Sequence, residues 1–151
     1  MDIVQTIYWS KPNFRLDTGS ISQEVRDILN AARRKNPVLD ITGAFVFTNN
    51  MFVQVLEGPE YNVMKTMGTI ARDERHRDVQ VLTSRERQNR DFPDWAMAFA
   101  PDTEANRRVV MEHCGGKAFD PRTLPPEKII GLIKALVGSN AAFSVKPDFA
   151  A

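Results

Sequence analysis

Two residues of this chain, Tyr8 and Gln54, can form a buried hydrogen-bonded pair whose donor and acceptor roles are exchangeable. Gln54 lies in Met51–Gly58, which is apolar on both faces and predicts a strand covered on both sides. A buried amide without a partner costs about 1–3 kcal/mol, so Gln54 needs a side chain, a water or a ligand. Because strand side chains alternate, Gln54 shares a face with Phe52 and Leu56.

The elements that position this pair follow from hydrophobic periodicity. Five runs predict strands: Ile3–Ser10, Ile41–Thr48, Met51–Gly58, Asp78–Ser84 and Trp95–Ala100. A first helix is predicted from the capping residue Ser20 to about Arg34, on the apolar stripe Ile21, Val25, Ile28, Leu29 and Ala32. A second helix begins after Gly58-Pro59, with a buried stripe of Val63, Met64, Met67, Ile70 and Ala71.

The order β-α-β-β-α-β, followed by a last strand, predicts an α+β fold of ferredoxin-like type. Two helices pack on one face of an antiparallel sheet whose first and third strands are the central pair. Tyr8 and Gln54 can therefore touch across these strands, with Asn36 over the same sheet edge. Trp95 and Met97 are expected to share one face of the last strand. The simpler interpretation is that Tyr8 and Gln54 only satisfy each other within an ordinary core.

The tail is expected to cover the other face of the sheet. Helices are predicted over 104–113 and 127–137, so the domain of residues 1–101 carries an extension of residues 102–151. The second tail helix has a wider apolar surface than one stripe: Ile129, Ile130, Leu132, Ile133, Leu136 and Val137. Either a second subunit covers part of it, or the chain itself does so with Phe143, Val145 and Phe149.

Composition excludes several function classes. The chain has 151 residues and a net charge of +1, which favours neither nucleic acid nor a membrane surface. Cys114 is the only cysteine and no signal peptide is visible, so we expect a cytoplasmic protein. Its two histidines are far apart, which argues against a metal site, and glycine-rich phosphate loops are absent from the sequence.

Several short motifs, in order and with their spacing, resemble those of the BLUF domain, the flavin-based blue-light sensor module. The resemblance covers about the first hundred residues. Its motifs are Ile7-Tyr8-Trp9-Ser10, Ile28-Leu29, Ala32-Arg33-Arg34-Lys35-Asn36, Ile41-Thr42-Gly43-Ala44, Phe52 to Pro59, Asp73-Glu74-Arg75-His76 and Arg90 to Met97. Each is weak alone, whereas the ordered set is specific.

The resemblance implies that FAD is bound non-covalently, its ring lying between the two helices and above the sheet. By position, Ile28 and Ile70 flank the ring, Asn36 binds its polar edge, and Asp73 contacts its pyrimidine side or the surroundings. Gln54 lies between Tyr8 and the ring. The remaining assignments are Phe52, Arg75 and His76 to the cofactor site, and Trp95 and Met97 to the signal relay.

The implied function is a photoreceptor rather than an enzyme. The resemblance implies that Tyr8 gives an electron and then a proton to the excited flavin and that the radical pair recombines after Gln54 has rotated or tautomerised. The flavin absorption is then expected to lie slightly to the red. No catalytic output domain is recognised, so the signal is expected to pass to an oligomer interface or a separate protein. Two alternatives stay open: a flavin-dependent oxidoreductase and a cofactor-free binding module. The residues alone do not separate FAD from FMN.

One position departs from the family pattern. Thr69 stands where the family usually has a basic residue facing the flavin, one turn before Asp73. That contact is either lost or supplied by Lys65 or Arg72. We therefore expect weaker flavin retention with an intact photocycle.

Overall fold

A computed structural model describes residues 2–14 and 23–139, except for the side chain of Ser139. The strands are β1 (Ile3–Pro12), β2 (Thr42–Thr48), β3 (Met51–Gly58), β4 (His76–Arg87) and β5 (Ala98–Ala100). The helices are α1 (Gln23–Lys35), α2 (Glu60–Arg72), α3 (Glu104–His113) and α4 (Pro126–Ser139), with a short 3-10 turn at Pro121–Thr123. The predicted cap Ser20, the stripe residue Ile21 and the tail residues Phe143, Val145 and Phe149 lie outside the described residues.

The sheet has the strand order β4-β1-β3-β2-β5, which confirms the ferredoxin-like prediction. In the centre, β1 and β3 are antiparallel, and Tyr8 lies directly opposite Gln54. The sheet is mixed rather than purely antiparallel, because β5 runs parallel to β2. The chain between β4 and β5 crosses from one edge of the sheet to the other, so β5 enters in the direction of β2.

Two apolar clusters cover the two faces of the sheet. Helices α1 and α2 pack on the face that carries Phe45, Phe52 and Leu56. On the opposite face, α3 and α4 pack against a cluster built around Ile7, Val53 and Val55, as predicted for the tail. All six apolar residues of α4 that had suggested a second subunit are buried within the chain, at 5% exposure or less. They therefore give no argument for an oligomer.

Local sequence signals explain most element ends. Helix α1 ends one residue before Asn36-Pro37, because proline disfavours helical geometry in the residue before it. Asn49 and Asn50 have φ of 50° and 57°, the left-handed geometry of a two-residue hairpin turn. The stripe predicted on α2 is too wide, since Met64 is 63% exposed and Ala71 is also exposed. Next to Val63, one side of α2 lines a cavity and does not pack into the core.

The described residues contain neither a membrane-spanning helix nor a cluster of metal-ligating side chains. Within 2–14 and 23–139, no helix combines the length and apolarity that crossing a membrane requires. The same part of the chain contains no group of three or more His, Cys, Asp or Glu side chains that could hold a metal ion.

Candidate functional site

A cavity of about 530 Å³ opens between α1 and α2, above the sheet. This volume is in the range of small-molecule binding pockets, about 300–1,000 Å³. Ile28 of α1 and Ile70 of α2 line it, and Gln54 and Leu56 of β3 form part of its floor. Most of the exposed cavity surface is apolar, although ten of the seventeen lining residues are polar or charged.

Tyr8, Gln54 and Met97 form a short hydrogen-bonded chain at the cavity floor. The Tyr8 hydroxyl donates to Gln54 Oε1, and Gln54 Nε2 donates to Met97 Sδ at 3.3 Å. A thioether sulfur is a weak acceptor, so the amide of Gln54 is only partly satisfied by protein groups. The residue thus retains hydrogen-bonding capacity toward the cavity that it lines.

Tyr8 is fully buried and remains a protonated phenol. Burial raises the pKa of Tyr8 far above its usual value, and the nearby Asp73 carboxylate raises it further. A protonated hydroxyl can both donate and accept a hydrogen bond. Tyr8 can therefore partner the amide of Gln54 in either orientation of that amide.

Two polar contacts tie the end of α1 to the segment that carries Met97. Asn36 Nδ2 donates to the Ala96 carbonyl at 2.8 Å, and Asn36 itself is buried. Arg33 Nε donates to the Met97 carbonyl at 3.4 Å. Burial lowers the pKa of Arg33, although an arginine stays protonated near neutral pH. The position of Met97 is thus coupled to the helix that forms one wall of the cavity.

His76 closes the inner end of the cavity as a neutral ring. Its Nδ1 lies 2.8 Å from Ser10 Oγ, and its ring packs edge-on against Phe52 with centroids 5.5 Å apart. Burial lowers the pKa of His76 to about 4. Two smaller effects oppose each other: the Asp73 carboxylate raises this pKa and the Arg75 guanidinium lowers it. At neutral pH the imidazole carries no charge, so it adds a polar but uncharged wall.

Asp73 and Arg75 form a bidentate pair where α2 ends. Arg75 Nε lies 3.0 Å from Asp73 Oδ1, and its terminal nitrogen lies 2.6 Å from Oδ2. Burial alone would raise the pKa of Asp73, but the hydrogen bonds and charge of Arg75 outweigh it and lower that pKa. Both side chains line the cavity, with the carboxylate held ionised by its arginine partner.

The cavity mouth is basic. Arg34, Lys35 and Lys65 line it together with the paired Arg75. Thr69 is exposed, and its hydroxyl donates to the Lys65 carbonyl at 3.3 Å. Of the two cations considered as replacements for a basic residue at position 69, Lys65 lines the cavity and Arg72 does not.

The structure brings most of the sequence-predicted site residues together. Ile28, Asn36, Gln54, Ile70, Asp73, Arg75 and His76 line the cavity. Tyr8 and Phe52 lie directly behind its wall, where Tyr8 contacts Gln54 and Phe52 contacts His76.

Trp95 is the exception. It was expected to share a face with Met97, but it packs against the cluster on the α3/α4 face, whereas Met97 packs in the α1/α2 cluster. The physical reason is that regular β5 begins only at Ala98, so strand alternation does not extend back to Trp95. The prediction that these two side chains lie on one face was wrong.

Sequence reasoning missed Thr66, which lines the cavity from α2. Its position carried a usable signal. Val63, Thr66 and Ile70 follow helical spacing, so a hydroxyl interrupts an otherwise apolar stripe, as Gln54 interrupts an apolar strand. The basic mouth residues Arg34 and Lys35 were also missed, because charges near a helix end usually face solvent.

Comparison with known proteins gives consistent matches. A family model described as "Sensors of blue-light using FAD" matches residues 3–98. The photoactivated adenylate cyclase subunit beta of Euglena longa is 33% identical over 94 residues, which are 62% of this chain and 10% of that protein. The chain thus spans about a tenth of the length of this curated relative.

Two solved structures have the same fold over most of the chain. The photo-activated state of BlsA superposes with a TM-score of 0.75 at 24% identity, covering 89% of this chain and 94% of the other. The dark state of the BLUF protein BlrB superposes with a TM-score of 0.69 at 25% identity, covering 91% of this chain and 97% of the other.

Proposed function

Because the chain belongs to the BLUF family, the sensors of blue light using FAD, we propose that Tyr8 and Gln54 form its light-driven hydrogen-bond switch. The observation that carries this proposal is the buried bond from Tyr8 to a Gln54 amide that lines the cavity. When bound, the flavin supplies light absorption and a transient one-electron oxidation of its neighbour. Side chains of the protein carry out every other step of the switch.

The cavity fits a flavin ring in size and in chemistry. Ile28 and Ile70 offer apolar surfaces on opposite helices, suited to the two faces of a flat aromatic ring. Gln54 offers unused hydrogen-bonding capacity at the floor, and Asn36 and Asp73 place polar groups near the ends. Apolar walls suit the two faces of a flavin ring, and the polar groups between them suit its polar edge.

The switch consists of an exchange of donor and acceptor at Gln54. Rotation or tautomerisation of the amide replaces its present acceptor with a donor toward Tyr8, whose hydroxyl can follow by accepting. Rotation of the amide also turns its carbonyl oxygen toward Met97, and a thioether cannot donate to it. The contact to Met97 is then lost, and a change at the cavity floor reaches the segment before β5.

We assign the output to the residues after the sensor domain of residues 1–101, with residues 102–151 as the responding extension. Two links support this assignment. Glu57 accepts from the Asp91 and Phe92 amides, and Lys134 of α4 donates to Asp91 Oδ1 at 3.0 Å. The segment that leads to Met97 is therefore bound to α4, and hydrogen exchange of residues 126–137 in light and darkness tests the coupling.

A separate protein or a second copy of the chain is proposed to receive this signal. Trp95 remains a candidate for the relay, since it packs against the cluster that contains α4. The cyclase activity named for the Euglena longa relative is not carried over, because the match covers a tenth of that protein.

For the cofactor we propose FAD rather than FMN. The family description names FAD, and the cavity mouth presents Arg34, Lys35 and Lys65, which suit a diphosphate. Val38 also lines the mouth and is 85% exposed, which provides an apolar surface for an adenine that extends outward.

The test is a titration of the apo-protein with FAD and with FMN, followed by blue light. We expect tighter binding of FAD and a reversible displacement of the bound flavin bands to longer wavelength. Equal affinity for FMN contradicts the cofactor assignment. A bound flavin that is only bleached indicates a redox flavoprotein, and failure to bind either flavin indicates a cofactor-free module.

A further inference from the structure

We propose that the Thr66 hydroxyl hydrogen-bonds to the polar edge of the bound flavin and positions it in the cavity, an inference that rests on the proposed function. Thr66 Oγ1 is buried and has no hydrogen-bond partner. Buried polar groups in folded proteins are normally satisfied, so such an atom at a cavity wall is typical of a ligand contact.

The location of this atom separates it from other unpartnered groups. Among buried side-chain nitrogen and oxygen atoms of residues 2–14 and 23–139, two more lack a hydrogen bond, on Trp9 and Asp102, and the Asp102 oxygen lies 3.2 Å from Arg107 Nε in an ion pair. Neither residue lines the cavity, whereas Thr66 does. The unpartnered hydroxyl therefore coincides with the one place where the proposed function puts a polar ligand.

The Thr66 hydroxyl also makes no hydrogen bond to a backbone carbonyl of its own helix. A helical threonine commonly donates to the carbonyl four residues earlier. Thr69, on the same helix, does so with the Lys65 carbonyl at 3.3 Å, but Thr66 has no such bond. Both threonines line the cavity, but only Thr66 can bind a ligand there without giving up an existing hydrogen bond.

Two other polar groups that line the cavity already have protein partners. Asn36 donates to the Ala96 carbonyl, and the Asp73 carboxylate is bound by Arg75. A ligand with a carbonyl or ring nitrogen at its edge thus finds a free donor at Thr66. Thr66 is therefore assigned as a cofactor-binding residue contributed by α2.

The experiment compares three variants with the wild-type protein. Thr66→Val removes the hydroxyl while keeping a similar shape, and Thr66→Ser keeps the hydroxyl. Thr83→Val removes a hydroxyl from edge strand β4, outside the cavity lining. Each protein is measured for FAD affinity by fluorescence quenching, for the thermal midpoint of the apo-protein, and for the carbonyl stretching frequencies of the bound flavin by infrared spectroscopy.

We expect Thr66→Val to weaken FAD binding about tenfold and to raise a flavin carbonyl frequency, with the apo midpoint unchanged or higher, because the unpaired group is gone. Thr66→Ser should recover most of the affinity, and Thr83→Val should bind within twofold of wild type. Unchanged affinity in Thr66→Val overturns the inference, as does a loss of affinity accompanied by a lower apo midpoint. A wild-type protein that binds no flavin overturns the proposed function as well.

Discussion

Two buried polar residues of β3, Glu57 and Gln54, lie on opposite faces of the sheet and are satisfied by protein groups to different degrees. On the α3/α4 face, Glu57 is fully buried and accepts from the Asp91 and Phe92 amides and from Gln5 Nε2, at 2.7–2.9 Å. On the α1/α2 face, Gln54 donates to a sulfur atom and Thr66 has no partner at all. Both Gln54 and Glu57 belong to β3, three residues apart.

The difference separates a structural network from a binding site. Three good donors saturate Glu57, so its network rigidifies the junction between β1, β3 and the segment before β5. The opposite face leaves polar capacity unused beside a cavity, which a ligand can complete. A buried polar residue of this sheet thus indicates a binding site only when it keeps unused hydrogen-bonding capacity and also lines a cavity, as Gln54 does.

The largest expected effect is a loss of stability when the hydrogen bonds of Glu57 are removed. Glu57→Leu leaves two backbone amides buried without an acceptor, so we expect the free energy of unfolding to fall by about 3–5 kcal/mol. Gln54→Leu on the same strand removes the acceptor of one buried donor, the Tyr8 hydroxyl, and a weak contact to sulfur, so it should lower this free energy by less, about 1–3 kcal/mol. Urea denaturation of both variants measures the contrast.

Glu57→Gln is the matched control for this contrast. It keeps the shape and one acceptor oxygen, so its loss should lie between those of the two leucine variants. Similar losses for Glu57→Leu and Gln54→Leu would contradict the distinction between the faces.

A smaller effect is expected from acid, and it acts on the α1/α2 face. Burial lowers the folded-state pKa of His76 to about 4, against 6.5 in the unfolded chain. As the pH falls below about 6.5, the unfolded state binds a proton that the folded state does not, so stability decreases until about pH 4. From these two pKa values the loss by pH 4.5 is about 2 kcal/mol.

His76→Gln provides the control, since an amide can retain the contact to Ser10 without titrating in this range. The free energy of unfolding should therefore fall less between pH 7 and 4.5 in this variant than in the wild-type protein. An identical acid dependence in both proteins would show that His76 is not buried in its neutral form.

The features of the fold that depend on hydrophobic periodicity could be predicted from the sequence. The strand and helix order, the central β1–β3 pair and the opposition of Tyr8 and Gln54 follow from alternation and turn signals, and the structure confirms them. Seven of the predicted site residues line one cavity, because the resemblance placed them by position.

The predictions that were wrong or missing concern irregular backbone and the side of a helix on which a hydroxyl lies. Trp95 was assigned to a strand that begins only at Ala98, so its face was wrong. The parallel direction of β5 depends on a crossover that the chain pattern does not encode. Thr66 was missed because a threonine within a helical stripe is common, and only the structure reveals that its hydroxyl is unpartnered.

The most direct test of the account is the light-minus-dark absorption spectrum of the FAD-loaded Tyr8→Phe variant beside that of the wild-type protein. Tyr61→Phe is the control, since Tyr61 is 77% exposed on the outside of α2. The account predicts a reversible shift of the flavin bands to the red in the wild-type protein and in Tyr61→Phe, and no shift in Tyr8→Phe although flavin remains bound. A Tyr8→Phe variant that responds to light like the wild-type protein would contradict the claim that Tyr8 and Gln54 are the switch.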